Sequence, residues 1–199
     1  TDNLGHWVAA WISYDDLGGA FGTDRDIFFA RSIDNGMNWT PSAPLNTNAA
    51  TDSAFDSDVV LSTDGFGNWV AVWFSDNTLG GTIGSDYDIL IARSTDNGAS
   101  WTPPAALNTN AGSDSGADYY PTITNDGMGN WVAAWMSNDT LGGTIGSDHD
   151  ILFSRSSDDG ASWTFPMALN TNAGSDSGAD YYPTITNDRI GNWVAAWAS

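Results

Sequence analysis

A single period governs this chain. Trp7, Trp69, Trp131 and Trp193 follow one another at intervals of 62 residues, each inside a Gly-x-Trp-Val-Ala-x-Trp stretch. A unit recurring without insertion is one supersecondary element copied in tandem, and such an element buries its apolar surface against its neighbours rather than alone. The repeats run 1–62, 63–124 and 125–186, with a partial fourth at 187–199. The second and third are identical at most positions.

Each copy holds four short runs of strand character between Gly, Asn, Asp and Pro, and no sustained 3.6-residue apolar period. In the third copy the runs are Trp131 to Met136, Ile151 to Arg155, Trp163 to Leu169, and Tyr181 to Thr186, the last being the first strand of the next unit. Along Trp131-Val132-Ala133-Ala134-Trp135 side chains alternate faces, yet both faces are apolar. A strand buried on both sides belongs in the middle of a sheet packed between other sheets. Four strands per repeat therefore predict an all-β chain, a β-propeller segment of about three four-stranded blades. Closed propellers have roughly four to eight blades. The expectation is a piece of a longer array, or copies that associate to complete a ring or extend a filament.

The link between the third and fourth strands of a blade, Arg155 to Trp163 in the third copy, reads Ser-x-Asp-x-Gly-x-x-Trp three times: Ser32, Asp34, Gly36, Trp39; Ser94, Asp96, Gly98, Trp101; Ser156, Asp158, Gly160, Trp163. Locally, the Asp can accept backbone N–H bonds across the turn, Gly supplies positive φ, and Trp anchors the hairpin. The motif resembles the Asp box of sialidase-like β-propellers, and the resemblance covers essentially the whole chain. It implies an extracellular or cell-surface location, with the boxes on the face away from a catalytic centre. It also implies that the two other loops of each blade emerge together on the opposite face.

Catalysis in that family implies an arginine cluster, a tyrosine nucleophile with a glutamate, and an acid–base aspartate. This chain has no glutamate, and Arg31, Arg93 and Arg155 recur before successive boxes, leaving Arg25 and Arg189. Tyr119, Tyr120, Tyr181 and Tyr182 repeat too, which favours packing over catalysis. No catalytic residue is assigned. His6 and His149 are single departures from the Asn68 and Tyr87 of another repeat, and all eleven tryptophans occupy repeat positions.

Charge narrows the partners. Twenty-five aspartates face five arginines, a net charge of −20, which opposes binding to nucleic acid or anionic membranes. No apolar run suits membrane insertion, and the start Thr1-Asp2-Asn3-Leu4-Gly5 lacks signal-peptide character. Without cysteine there is neither disulfide nor thiolate metal site. Cations are the natural partners. An Asp-x-Asp pair follows each Gly-rich loop: Asp24 with Asp26, Asp86 with Asp88, Asp148 with Asp150. On a strand the two carboxylates share a face and repel unless donors or a cation compensate, and Ca²⁺ takes six to eight such oxygens. The competing reading is one loop-capping and one solvated Asp per pair.

The expected function is a non-catalytic extracellular structural or binding module, calcium-stabilised, with a carbohydrate or protein ligand. Two alternatives stand beside it: a fragment of a sialidase-like glycoside hydrolase whose catalytic residues lie elsewhere, and a self-assembling structural protein.

Overall fold

The computed structural model describes residues 1–199, all β and without helix. Blade 1 is β1 (Trp7–Ser13), β2 (Asp26–Ser32) and β3 (Ala43–Pro44). Blade 2 is β4 (Asp56–Thr63), β5 (Trp69–Ser75), β6 (Asp88–Ser94) and β7 (Ala105–Ala106). Blade 3 is β8 (Asp118–Asn125), β9 (Trp131–Ser137), β10 (Asp150–Ser156) and β11 (Met167–Ala168). A last sheet pairs β12 (Tyr181–Asn187) with β13 (Trp193–Ala198). All pairings are antiparallel between strands consecutive in the chain. The strands β4, β8 and β12 contact one another across sheets and form the inner edge, from which the blades fan without closing a ring. This is a β-propeller segment.

Two-sided burial drives the stacking. Every residue of β5 and β9 is buried. Val70, Val72 and Phe74 face blade 3 and share a core with Trp131, Ala133 and Trp135. Ala71 and Trp73 face blade 1 and pack with Ile27 and Leu45. Ala134 and Met136 join Ile151, with Trp197 of the last sheet alongside. The hydrophobic cores thus lie between blades, and β1 and β13, flanked on one side only, are half exposed.

The fourth strands are shorter than expected. In place of Trp163 to Leu169, only Met167–Ala168 pairs with β10, at Leu152 and Phe153. Pro166 offers no ladder donor, and Trp163 belongs to the turn, where its Nε1 donates to the Gly160 carbonyl at 3.2 Å.

In the Asp boxes the carboxylate is the hub of the turn. Asp96 Oδ1 accepts from Ser94 Oγ at 2.7 Å and from the backbone N–H of Ser100 at 2.9 Å, while Gly98 adopts φ +76°. These contacts hold the Asp96 carboxyl at about 2 although partial burial opposes this, and hydrogen bonds led by Asn38 likewise hold Asp34 at about 2. The box tryptophans reach across blades: Trp101 meets Phe29 of blade 1 edge-on at 5.9 Å. Trp39, the box tryptophan of blade 1, is 43% exposed.

Equivalent tryptophans therefore carry unequal weight. Trp135→Ala, at a fully buried site, should cost about 3–5 kcal/mol. Trp11→Ala, at the same repeat position but 38% exposed, should cost less than half of that in urea unfolding. Equal losses would contradict cores lying between blades.

Candidate metal centres

The acidic loops meet at the end of each blade opposite the Asp box. The Asp-x-Asp pair begins the third strand and the box follows its end, about 20 Å away at the usual strand rise. The connection from the fourth strand to the next blade is laid against this strand start by a Leu-Asn step. In blade 1, Leu45 N–H donates to the Ile27 carbonyl at 2.6 Å, and Asn46 Oδ1 accepts from Ile27 N–H at 3.1 Å. The Asn46 amide then donates to Asp26 and to Asp56 of blade 2, both at 2.8 Å. Asn108 and Asn170 make the corresponding bonds to Asp88 and Asp150 at 2.7 and 2.6 Å.

Two residues on, a tight turn brings a third carboxylate back. The Asn48 carbonyl accepts from Thr51 and Asp52 N–H groups, and those of Asn110 and Asn172 repeat the turn. The result is three clusters: Asp24, Asp26, Asp52; Asp86, Asp88, Asp114; and Asp148, Asp150, Asp176. In each, one carboxylate oxygen per residue lies within 4.8 Å of the others. Asp26, Asp88 and Asp150 are almost wholly buried. Gly84 lets the Asp86 carboxylate lie close to the loop backbone: a Cβ would stand 2.2 Å from Asp86 Oδ1 and turn that side chain away.

Charge compensation from side chains is missing. The one contact of a basic side chain with a carboxylate is His6 Nδ1 with Asp2 at 2.5 Å, where His6 replaces the asparagine that bonds the equivalent aspartate in the other repeats. No arginine pairs with an aspartate; Arg25 lies 4.2 Å over the Phe55 ring and donates to Ser57 Oγ at 2.8 Å. Burial, reinforced by Asp24, raises the Asp26 carboxyl to about 6. Burial and the neighbouring aspartates raise Asp52 and Asp88 to about 7 and Asp114 to about 6.

The unpartnered atoms are oxygens. In blade 2, Asp86 Oδ2, Asp88 Oδ2, Asn110 Oδ1 and Asp114 Oδ1 are all buried without a donor. Blade 1 leaves Asp24 Oδ2, Asn48 Oδ1 and Asp52 Oδ1, and blade 3 leaves Asp148 Oδ2, Asp150 Oδ2 and Asp176 Oδ1. Buried acceptors without donors are costly, and an all-oxygen set of carboxylates and an amide suits a hard divalent cation of the Ca²⁺ type. The Asp-x-Asp residues legible in the sequence thus come together, joined by Asp52, Asp114 and Asp176, which sequence reasoning missed. Their signal was the constant 26-residue offset from Asp26, Asp88 and Asp150.

The tyrosines sit nearby on the inner edge. Tyr119 packs against Phe74 and Tyr87, and the Tyr120 and Tyr182 rings lie 4.8 Å apart.

Neither a protein-family model nor a curated protein matches the chain. Solved structures do. A Trypanosoma rangeli sialidase matches with a TM-score of 0.57 at 16% identity, over 97% of this chain and 32% of that one. An α-L-arabinofuranosidase of Fusarium graminearum, in complex with arabinobiose, matches at 0.58 and 12%, over 96% and 53%. A Hadza microbial sialidase matches at 0.55 and 19%, over 81% and 34%. The chain spans about a third to a half of the length of these proteins, and the likeness establishes the sialidase-like propeller fold.

The two classes of carboxylate titrate in opposite senses. A raised acid keeps its proton in the folded state where the unfolded chain has lost it, so the stability it contributes is full below about pH 4 and lost as pH rises through 6–7. A depressed Asp-box acid contributes stability above about pH 4 that is lost as pH falls through about 2. In chelator, the melting temperature should therefore peak near pH 4–5 and decline toward pH 8. A melting temperature still climbing from pH 5 to 8 would contradict the uncompensated clusters.

Proposed function

We propose that this chain is a non-catalytic structural and binding module of Asp-box propeller blades, each stabilised by a divalent cation, Ca²⁺, held in its acidic loops. The observation that carries this reading is the threefold recurrence of a carboxylate cluster with buried, donorless oxygens and no arginine ion-paired to it. In blade 2, Asp86, Asp88 and Asp114 would hold the ion, with the Asn110 carbonyl as a fourth ligand. The ion would supply the positive charge that the five arginines do not.

An extracellular setting fits such sites, because modules outside the cell work at calcium levels that fill sites of about 10⁻⁴–10⁻³ M affinity. The open inner edge and the exposed Tyr182 offer surface for a carbohydrate or protein ligand. Completion of the ring by further blades, from a longer chain or a second copy, is compatible with this role. The lack of glutamate and the dispersed arginines support the non-catalytic reading. The second reading, a segment of a sialidase-like glycoside hydrolase, is favoured by the three fold neighbours named above, each longer than this chain.

Thermal unfolding with Ca²⁺ and with chelator at equal ionic strength tests the proposal. A ligand that binds only the folded state at 100 times its Kd adds about 2.7 kcal/mol per site, so a clear rise in melting temperature is expected. Mg²⁺ should raise it less, since it demands stricter octahedral geometry and gives up water reluctantly. Asp88→Asn should remove part of the rise. An unchanged melting temperature at a Ca²⁺ concentration a hundredfold above such a Kd, about 0.1 M for the weakest sites, would overturn the cation reading.

A further inference from the structure

We infer that each cation site is a clamp between consecutive blades, binding tightly only when the following blade is docked. The inference rests on the reading of the clusters as cation sites and adds what controls their affinity.

The loop after the second strand of each blade grips the cluster of the blade before it, at two points. At the first boundary, Asp76 Oδ1 accepts from the backbone N–H of Phe55 at 2.7 Å, and the Asn77 amide donates to Oδ2 of the cluster residue Asp52. Asn48 donates to the same Oδ2, so both donors hold one side of the Asp52 carboxylate while Oδ1 stays donorless. At the second boundary the residue types are exchanged and the grip persists. Asn138 Oδ1 accepts from Ala117 N–H at 2.7 Å. Asn110 donates to Asp114 at 2.5 Å and to Asp139 of blade 3 at 2.6 Å.

That last pair of bonds has a chemical effect. Both carboxylates draw on the Asn110 amide nitrogen, which leaves its carbonyl oxygen buried and without a donor beside Asp114. Asp139 thereby orients a ligand oxygen it does not itself supply; it is a positioning residue. The fit is close: a Cβ on Gly116 would lie 2.4 Å from the Asp139 backbone. The following blade also brings a buried carboxylate to each boundary. Asp56 shares Asn46 with Asp26, and Asp118, buried with Oδ1 donorless, repels Asp114 and Asp88. A cation therefore offsets repulsion across the boundary as well as within a blade. At the blade-3 cluster, Asp176 receives only the Asn172 amide, and no residue of these 199 stands in the place of Asn77 or Asp139.

Calcium titration calorimetry on the chelator-stripped 199-residue chain tests the clamp. The expected wild-type isotherm has two tighter sites and one weaker. Asp139→Ala should weaken one of the tight sites about tenfold or more, the range typical of residues that orient metal ligands, and leave the others unchanged. Asp139→Asn keeps an acceptor for Asn110 and should restore most of the loss. In an Asp86→Ala background, which disables the blade-2 site, Asp139→Ala should change nothing further. Asn77→Ala should act on the blade-1 site alone. Near-ultraviolet circular dichroism at saturating Ca²⁺ verifies that each variant is folded. The clamp is overturned if Asp139→Ala has no effect, weakens all sites alike, or still acts in the Asp86→Ala background. An Asn variant as weak as Ala would reduce the effect to charge and also overturn it. Absence of any calcium binding by the wild type would instead remove the cation reading from which the clamp follows.

Discussion

A sheet that is apolar on both faces has no stable existence by itself, and everything else in this structure follows from that. β5 and β9 bury all seven of their residues, and they do so only because another blade lies on each side. The alternation of Val70, Val72 and Phe74 against Ala71 and Trp73 divides each strand between two cores. Radial stacking then decides where the loops go. One end of every blade presents the Asp-box turn to its neighbour, and the other presents the acidic loops.

At the acidic end, packing forces carboxylates together that water would otherwise separate. Asp26, Asp52 and Asp56 gather at one blade boundary with amide donors, while the Arg25 guanidinium there turns to Phe55 and Ser57 and pairs with none of them. Amide donors stabilise individual oxygens without cancelling charge, and burial accordingly pushes these acids toward their neutral forms. The Asp boxes use the same residue to the opposite end. There the carboxylate is ringed by hydroxyl and backbone donors at the surface, and its ionised form is the favoured one. One amino acid thus plays two electrostatic parts, set by how deeply it is buried and by how many donors reach it.

Much of this fold was legible in the sequence, because the tryptophan period and two-sided strands are local patterns with one sensible packing solution. The Asp-x-Asp pairs were legible for the same reason. Asp52, Asp114 and Asp176 were not, since they lie 26 residues away and reach the site only through a turn set by Asn48, Asn110 and Asn172. The grip of Asn77 and Asp139 on the preceding blade was equally hidden, as different residue types make the same contact from opposite ends of a hydrogen bond. The fourth strand of blade 3 was overread because apolar residues flank Pro166, which has no N–H to give the ladder.

The two ends of the blades are fastened by unlike means, and this gives the disc a direction of compliance. At the Asp-box end, Gly98 sits so close to Val8 that a Cβ there would lie 2.5 Å from its methyl group, and Gly160 is similarly wedged beside Val70. These joints are steric and indifferent to solvent ions. The opposite joints gather carboxylates and amides, and on the cation reading proposed above their strength depends on what the surrounding medium supplies. A change in cation concentration would therefore loosen the stack along one rim only, letting the blades splay like pages bound at the other edge.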